Sequence, residues 1–125
     1  MKIFVLLSAL SILILSTSDC HSKKEKGAKC KGRLEIKGIC YNYTIKLLEG
    51  DIDTAKIAAN WIDESSGKSY TNVFGLTDPC SFPSSIKEGE EFYFSVHDAK
   101  LKSCIVCEAY YPAPPRSLLI KVFDK

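Results

Sequence analysis

Apolar and polar residues alternate in several short segments of this chain, a pattern typical of half-buried β-strands. The clearest case runs from Glu91 to Val96, where Phe92, Phe94 and Val96 would share the buried face. Turn-forming residues separate this segment from similar patterns at 33–37, 39–48, 58–63, 69–74 and 118–123. We therefore predict an all-β domain of six to seven strands, either an antiparallel sandwich or a small closed barrel, with an OB-like barrel among the candidates.

The segment from Ser103 to Pro112 predicts a further strand, and it carries two of the six cysteines. Cys104 and Cys107 are three residues apart, so a strand would place them on opposite faces, roughly 10 Å from each other. A disulfide cannot span that distance. Each is therefore predicted to pair elsewhere, with Cys80 as the first candidate partner for either one. The sequence leaves the connectivity open among the candidates Cys30, Cys40, Cys80, Cys104 and Cys107.

The first residues of the chain have the pattern of a secretory signal peptide. Lys2 precedes an apolar stretch over 3–15, which is too short to span a bilayer as a helix. We therefore predict export, to the cell envelope or the extracellular space. The expected organisation is a signal peptide over 1–19, a polar, lysine-rich tether over 20–32 and a single β domain over 33–125.

A cysteine at the end of the leader suggests a lipid anchor. The leader, Cys20 and the lysine-rich segment after it resemble the first thirty residues of small bacterial envelope lipoproteins. The resemblance implies acylation of Cys20 and tethering to a membrane, which would leave five cysteines and one odd thiol. Alternatively, cleavage after Ser16-Thr17-Ser18 would release a chain that begins at Asp19 and keeps an even set of six cysteines.

Charge and size limit the classes of partner. The formal net charge is +2, which is too small to indicate a nucleic-acid partner. No aromatic residues interleave with the lysines of the tether, as a base-stacking site would require. About a hundred residues form a modest core, which disulfides would stabilise in an oxidising compartment.

Little in the sequence points to catalysis or to a bound metal. A redox pair at Cys104 and Cys107 would need a helix N-terminus, whereas Ile105 and Val106 between them favour a strand. A zinc site would need four ligands, and the sequence has no second Cys-x-x-Cys. His97-Asp98 lacks an accompanying nucleophile motif, and no phosphate-binding glycine loop is present. We therefore predict no enzyme, no metal and no cofactor.

Surface recognition is the remaining class. Tyr110, Tyr111 and Pro112 form a candidate surface for a protein or glycan ligand, because tyrosine combines apolar area with a polar tip. The leading hypothesis is an exported, membrane-tethered domain with a binding or structural role. One alternative is a secreted inhibitor whose stiff loop Pro79–Pro83 enters a hydrolase cleft. The other is an envelope redox or metal-binding protein that uses Cys104 and Cys107.

Overall fold

The computed structural model describes residues 28–98, 104, 107 and 110–124. The predictions about the signal peptide, Cys20 and most of the tether therefore lie outside the described residues. Within them, no helix is long and apolar enough to cross a membrane. Three single 3₁₀ turns occur, at Ile39–Tyr41, Thr54–Lys56 and Pro79–Ser81. The all-β prediction is confirmed by six strands: β1 (Cys30–Lys37), β2 (Tyr43–Glu49), β3 (Ala58–Ile62), β4 (Ser69–Leu76), β5 (Glu91–His97) and β6 (Ser117–Val122).

The strands form one sheet whose pairing closes a ring. The ring runs β1–β2–β4–β6–β5 and returns to β1, while β3 lies outside it and pairs with β4. The sheet is mixed: β4 and β6 are parallel at Gly75–Ser117 and Leu76–Leu118, whereas the other strand pairs among the described residues are antiparallel. A parallel pair needs a long connection, and here β5 and its flanking loops provide it.

The interior of the ring is filled by the apolar faces that the alternation predicts. Leu34, Ile45, Phe74 and Phe94 are fully buried. Aromatic side chains continue this core to the surface in a series of edge and tilted ring contacts, with centroids 5.3 to 6.0 Å apart. We call this series the aromatic ladder, and its members in order of contact are Tyr41, Tyr43, Phe82, Phe92, Phe94 and Phe74.

β1 begins at Cys30, three residues before the predicted start of the domain. Cys30, Gly32 and Leu34 face the core, and the intervening basic residues Lys31 and Arg33 hide this alternation in the sequence. A Cβ atom at residue 32 would lie 2.9 Å from Cε1 of Phe94, so only glycine allows the ring to pack there.

Two predicted strands differ from the structure. The segment 39–48 is a strand only from Tyr43, because Cys40 and Tyr41 adopt left-handed backbone angles with φ of 57° and 61°. The predicted strand over 103–112 is wrong at its described residues, namely 104, 107 and 110–112, which belong to no strand. Its remaining residues lie outside the described part of the chain. Disulfides attach Cys104 and Cys107 to two loops.

The disulfides join Cys40 to Cys107 and Cys80 to Cys104, with Cα–Cα distances of 5.3 and 5.9 Å. Cys104 and Cys107 thus pair elsewhere, as predicted, and Cys80 bonds to one of its two candidate partners. The inclusion of Cys30 among the disulfide cysteines is wrong, since its thiol is unbridged. Its side chain is 3% exposed and faces the core beside Gly50, where the described residues place no second cysteine.

Candidate ligand-binding surface

Tyr110 and Tyr111 lie between the β1–β2 loop and the β3–β4 turn. The Tyr110 hydroxyl donates a hydrogen bond to Oε2 of Glu64 at 3.1 Å. The Tyr111 ring covers Gly38, where a Cβ atom would come within 2.7 Å of it. These contacts bring two loops and one segment together in a surface that the sequence predicted only at 110–112. We call it the aromatic surface, and its side chains are Ile39, Tyr41, Trp61, Tyr70, Tyr110 and Tyr111.

The β1–β2 loop is a tight, strained turn. Gly38 N donates to Asn42 O at 3.0 Å, and the Asn42 amide side chain donates to Ile39 O at 2.9 Å. The left-handed conformations of Cys40 and Tyr41 each cost on the order of 1–2 kcal/mol. The disulfide to Cys107 fixes this turn to the segment before Tyr110. The strained turn presents Ile39 and Tyr41 to solvent with 64% and 49% of their surface exposed.

The β3–β4 turn is organised by one buried carboxylate. Asp63 accepts hydrogen bonds from the backbone N and hydroxyl of Ser65 and from the hydroxyl of Ser66, at 2.7 to 3.0 Å. These bonds, the Ser65 hydroxyl first, hold the pKa of Asp63 below its ordinary value. The turn aligns β3 with β4 so that Trp61 lies opposite Tyr70, with ring centroids 5.7 Å apart.

Acidic groups surround the phenol hydroxyls of the aromatic surface. Burial raises the pKa of Tyr70, and the negative charges of Asp63, Glu35 and Glu88 raise it further. The hydrogen bond to Glu64 raises the pKa of Tyr110. Both phenols are therefore protonated donors across the physiological pH range. The surface combines flat rings, hydroxyl donors and carboxylate acceptors, so it suits a ligand with an apolar face and polar groups along its edge.

The loop Pro79–Pro83 packs against the body of the domain. Pro79 and Phe82 are buried, and Phe82 belongs to the aromatic ladder. Cys80 and Ser81 are the exposed positions in between, and Cys80 is bridged to Cys104. This loop therefore offers few side chains to a hydrolase cleft.

Cys104 and Cys107 each bond to a different cysteine, so they do not form a redox pair with each other. Donor atoms of Asp78, Cys80 and Cys104 lie within 4.8 Å of one another. The two sulfur atoms of that group are bonded together, however, and have no thiolate to offer a metal.

His97 contacts a serine on its own strand. Its Nε2 atom lies 2.7 Å from Oγ of Ser95, two residues away on the same face of β5. Ser95 is only 2% exposed, so a substrate cannot reach its hydroxyl. The pair is a partly buried hydrogen bond within one strand. The i, i+2 spacing on a strand is the sequence signal for it, and it differs from the pairing of His97 with its neighbour Asp98.

Four residues of the aromatic surface were missed from the sequence. Ile39 and Tyr41 belong to the predicted strand over 39–48. Trp61 and Tyr70 belong to the predicted strands over 58–63 and 69–74, and the register of β3 and β4 sets them opposite each other. Cross-strand pairing is a local signal and could have identified the last two.

No family model, curated protein or solved structure matches this chain. The fold and the aromatic surface are therefore described by this chain's own residues alone.

Proposed function

We propose that this chain is an exported β domain, anchored to an envelope membrane by lipid on Cys20, that binds a ligand through the aromatic surface without catalysing a reaction. The observation that carries this proposal is the position of Tyr110, whose ring is 80% exposed while its hydroxyl is fixed by Glu64. A large aromatic ring exposed on a rigid support loses little entropy on binding, which is typical of recognition surfaces.

The cysteines support the lipid anchor. Four of the six form two disulfides, which suits an oxidising compartment. Cys30 is buried in the core, so the described residues offer no accessible thiol to which Cys20 could bond. An odd, unbridged thiol is the outcome expected when Cys20 carries lipid.

The direction of β1 supports a binding site that faces away from the membrane. The tether joins β1 at its first residue, and the strained turn follows its last residue. Seven steps of about 3.3 Å separate these ends by roughly 23 Å. The nine residue steps from Cys20 to Lys29 can reach at most about 30 Å more. We therefore assign the aromatic surface to the end of the domain that points away from the bilayer.

The lipid anchor is tested by the mass and location of the exported protein. We expect an acylated chain beginning at Cys20 in the membrane fraction, and a Cys20→Ser variant in the soluble fraction. Stable anchoring needs two signals, such as two acyl chains or one acyl chain together with a basic segment like the lysine-rich tether. An unacylated chain that begins at Asp19 would overturn this part of the proposal.

The binding surface is tested by substituting Tyr110 by Ala and screening immobilised oligosaccharides and synthetic peptides. We expect Tyr110→Ala to bind about tenfold more weakly than the wild type, since exposed aromatic anchors typically contribute 1 kcal/mol or more. Tyr93→Ala is the matched control, because Tyr93 is also exposed but lies outside the aromatic surface. Equal losses of binding in the two variants, or no binding to any of the oligosaccharides or peptides, would contradict the proposed role of the aromatic surface in ligand binding.

A further inference from the structure

β3 is the strand outside the ring, and among the described residues one of its edges has no partner strand; we call it the free edge. In the described part of the chain it pairs only with β4. Its other side therefore presents the backbone N–H and C=O groups of a strand without a ladder. Such an edge is a template for another extended chain.

The free edge lacks the usual protection against pairing. Folded proteins block exposed edges with charged residues, prolines or bulges. The five residues of β3, Ala-Ala-Asn-Trp-Ile, include no charge and no proline. Ile62, at the end of the strand, is 61% exposed. The edge is short and uncharged, and its apolar end is open to solvent.

We propose that two copies of this chain form a dimer by antiparallel pairing of β3 with β3 about a two-fold axis at Asn60. In this register Ala58 of one copy lies opposite Ile62 of the other, and Ala59 lies opposite Trp61. The pairing satisfies backbone groups of both edges and places a small residue opposite each large one. One interface repeats itself across the axis, as in most two-fold dimers.

Charge complementarity specifies the second copy as the partner and fixes the direction of pairing. Exposed Lys56 precedes β3 and exposed Glu64 follows it. Lys56 ends the 3₁₀ turn before β3, and Glu64 begins the turn after it. Antiparallel pairing about Asn60 brings these two ends of the strands together, so Lys56 of each copy approaches Glu64 of the other across the interface. Parallel pairing would place Lys56 beside Lys56 and Glu64 beside Glu64, and like charges across strands are destabilising.

The dimer is compatible with the membrane tether, and its interface includes Trp61 of the aromatic surface and Glu64, which holds Tyr110. A five-residue edge buries little area, so the free domains should associate weakly. Anchoring both copies in one membrane would raise their effective concentration without any new contact.

Sedimentation analysis of the exported Cys20→Ser chain over a range of concentrations tests the dimer. We expect a reversible monomer–dimer equilibrium. Lys56→Glu and Glu64→Lys should each raise the dissociation constant of the dimer by roughly threefold to thirtyfold, the range for two exposed ion pairs. The double variant Lys56→Glu/Glu64→Lys should return to within about twofold of the parent, because its charges are again complementary. Lys87→Glu, an exposed substitution outside β3, should leave the equilibrium unchanged.

Hydrogen exchange locates the interface in the same samples. Backbone N–H groups alternate between the two edges of a strand, so only the β3 amides that point to the free edge should become slower to exchange as the concentration rises. Ile62→Lys should abolish this protection. A chain that stays monomeric at millimolar concentration would overturn the proposal. So would a dimer whose double charge variant is not restored, or one that protects the turn at Ile39–Tyr41 and not β3.

Discussion

At the scale of single residues, Gly50 and Cys30 share one tightly packed site. Gly50 has a φ of 132°, a conformation that side-chain-bearing residues rarely adopt. A Cβ atom at this position would lie 2.6 Å from Sγ of Cys30. The buried thiol therefore acts as a small apolar core residue whose contact requires glycine opposite it.

Gly50→Ala should destabilise the domain by about 2–4 kcal/mol, because backbone strain and steric overlap add together. Gly67→Ala is the matched control, since Gly67 also has a positive φ of 71° but nothing lies within 4 Å of its missing Cβ. We expect the control to cost only about 1 kcal/mol. Urea unfolding of both variants measures the difference, and equal losses would contradict the packing explanation.

Cys30 should resist alkylation in the folded protein. Burial raises the pKa of its thiol, and the negative charge of Asp51 raises it further, so little thiolate forms at neutral pH. We expect no label from iodoacetamide under native conditions and one label per acylated chain in urea without reductant. Labelling of the native protein at Cys30 would show that the site is accessible.

Asp63 should make the domain sensitive to acid. Its folded pKa is lower than the value of about 3.9 expected in the unfolded chain. The carboxylate therefore contributes stability above that pH, and the contribution is lost as the pH falls through the folded pKa. Asp63→Asn should flatten the dependence of the unfolding free energy on pH below about pH 4. Asp53→Asn is a suitable control, because Asp53 is exposed and caps a single 3₁₀ turn through one bond to Ala55 N.

At the scale of elements, two disulfides hold Cys104 and Cys107 in a segment that the sequence predicts as a strand. Ile105 and Val106 favour a strand by composition, but the cysteines on either side are bonded to different loops. Cys104 joins the loop of the aromatic ladder at Cys80, and Cys107 joins the strained turn at Cys40. Covalent bonds thus position the segment that leads to Tyr110.

Removing the Cys40–Cys107 disulfide should lower the free energy of unfolding more than removing the Cys80–Cys104 disulfide. Cys40 and Cys107 are 67 residues apart, and Cys80 and Cys104 are 24 apart. Loop entropy predicts losses of about 4.4 and 3.5 kcal/mol for the two paired Cys→Ala variants. Removal of the Cys40–Cys107 bond would also relieve the left-handed strain at Cys40, which would reduce the difference between the two losses of stability. Denaturant unfolding of both double variants gives the comparison, and a clearly larger loss for the shorter loop would contradict the entropic account.

Elements defined by local signals were predicted well. β5 and the hairpin of β3 and β4 follow from alternation and from the turn at 64–68. The start of β1 was missed because Lys31 and Arg33 give the segment a polar composition, although Cys30 and Gly32 face the core. The turn at Cys40 was missed because its left-handed backbone depends on a disulfide to a residue far along the chain.

At the scale of the whole molecule, long-range pairing limited the prediction. The sequence gives no local sign that β6 runs parallel to β4, since that contact joins segments separated by another strand. The same limit applies to the candidate site. Tyr110 and Tyr111 were predicted from their own properties, whereas their partners Glu64 and Gly38 were not, because both contacts link distant parts of the chain.

The place of β6 in the ring has a consequence for the order in which the domain folds. β6 lies between β4 and β5, yet it follows every other described strand in the chain. A chain that crosses the export machinery with its N-terminus first would therefore expose the edges of β4 and β5 until Ser117–Val122 emerges. On the proposed export route, the ring would therefore close only near the end of translocation, although the β1–β2 and β3–β4 pairs do not require β6.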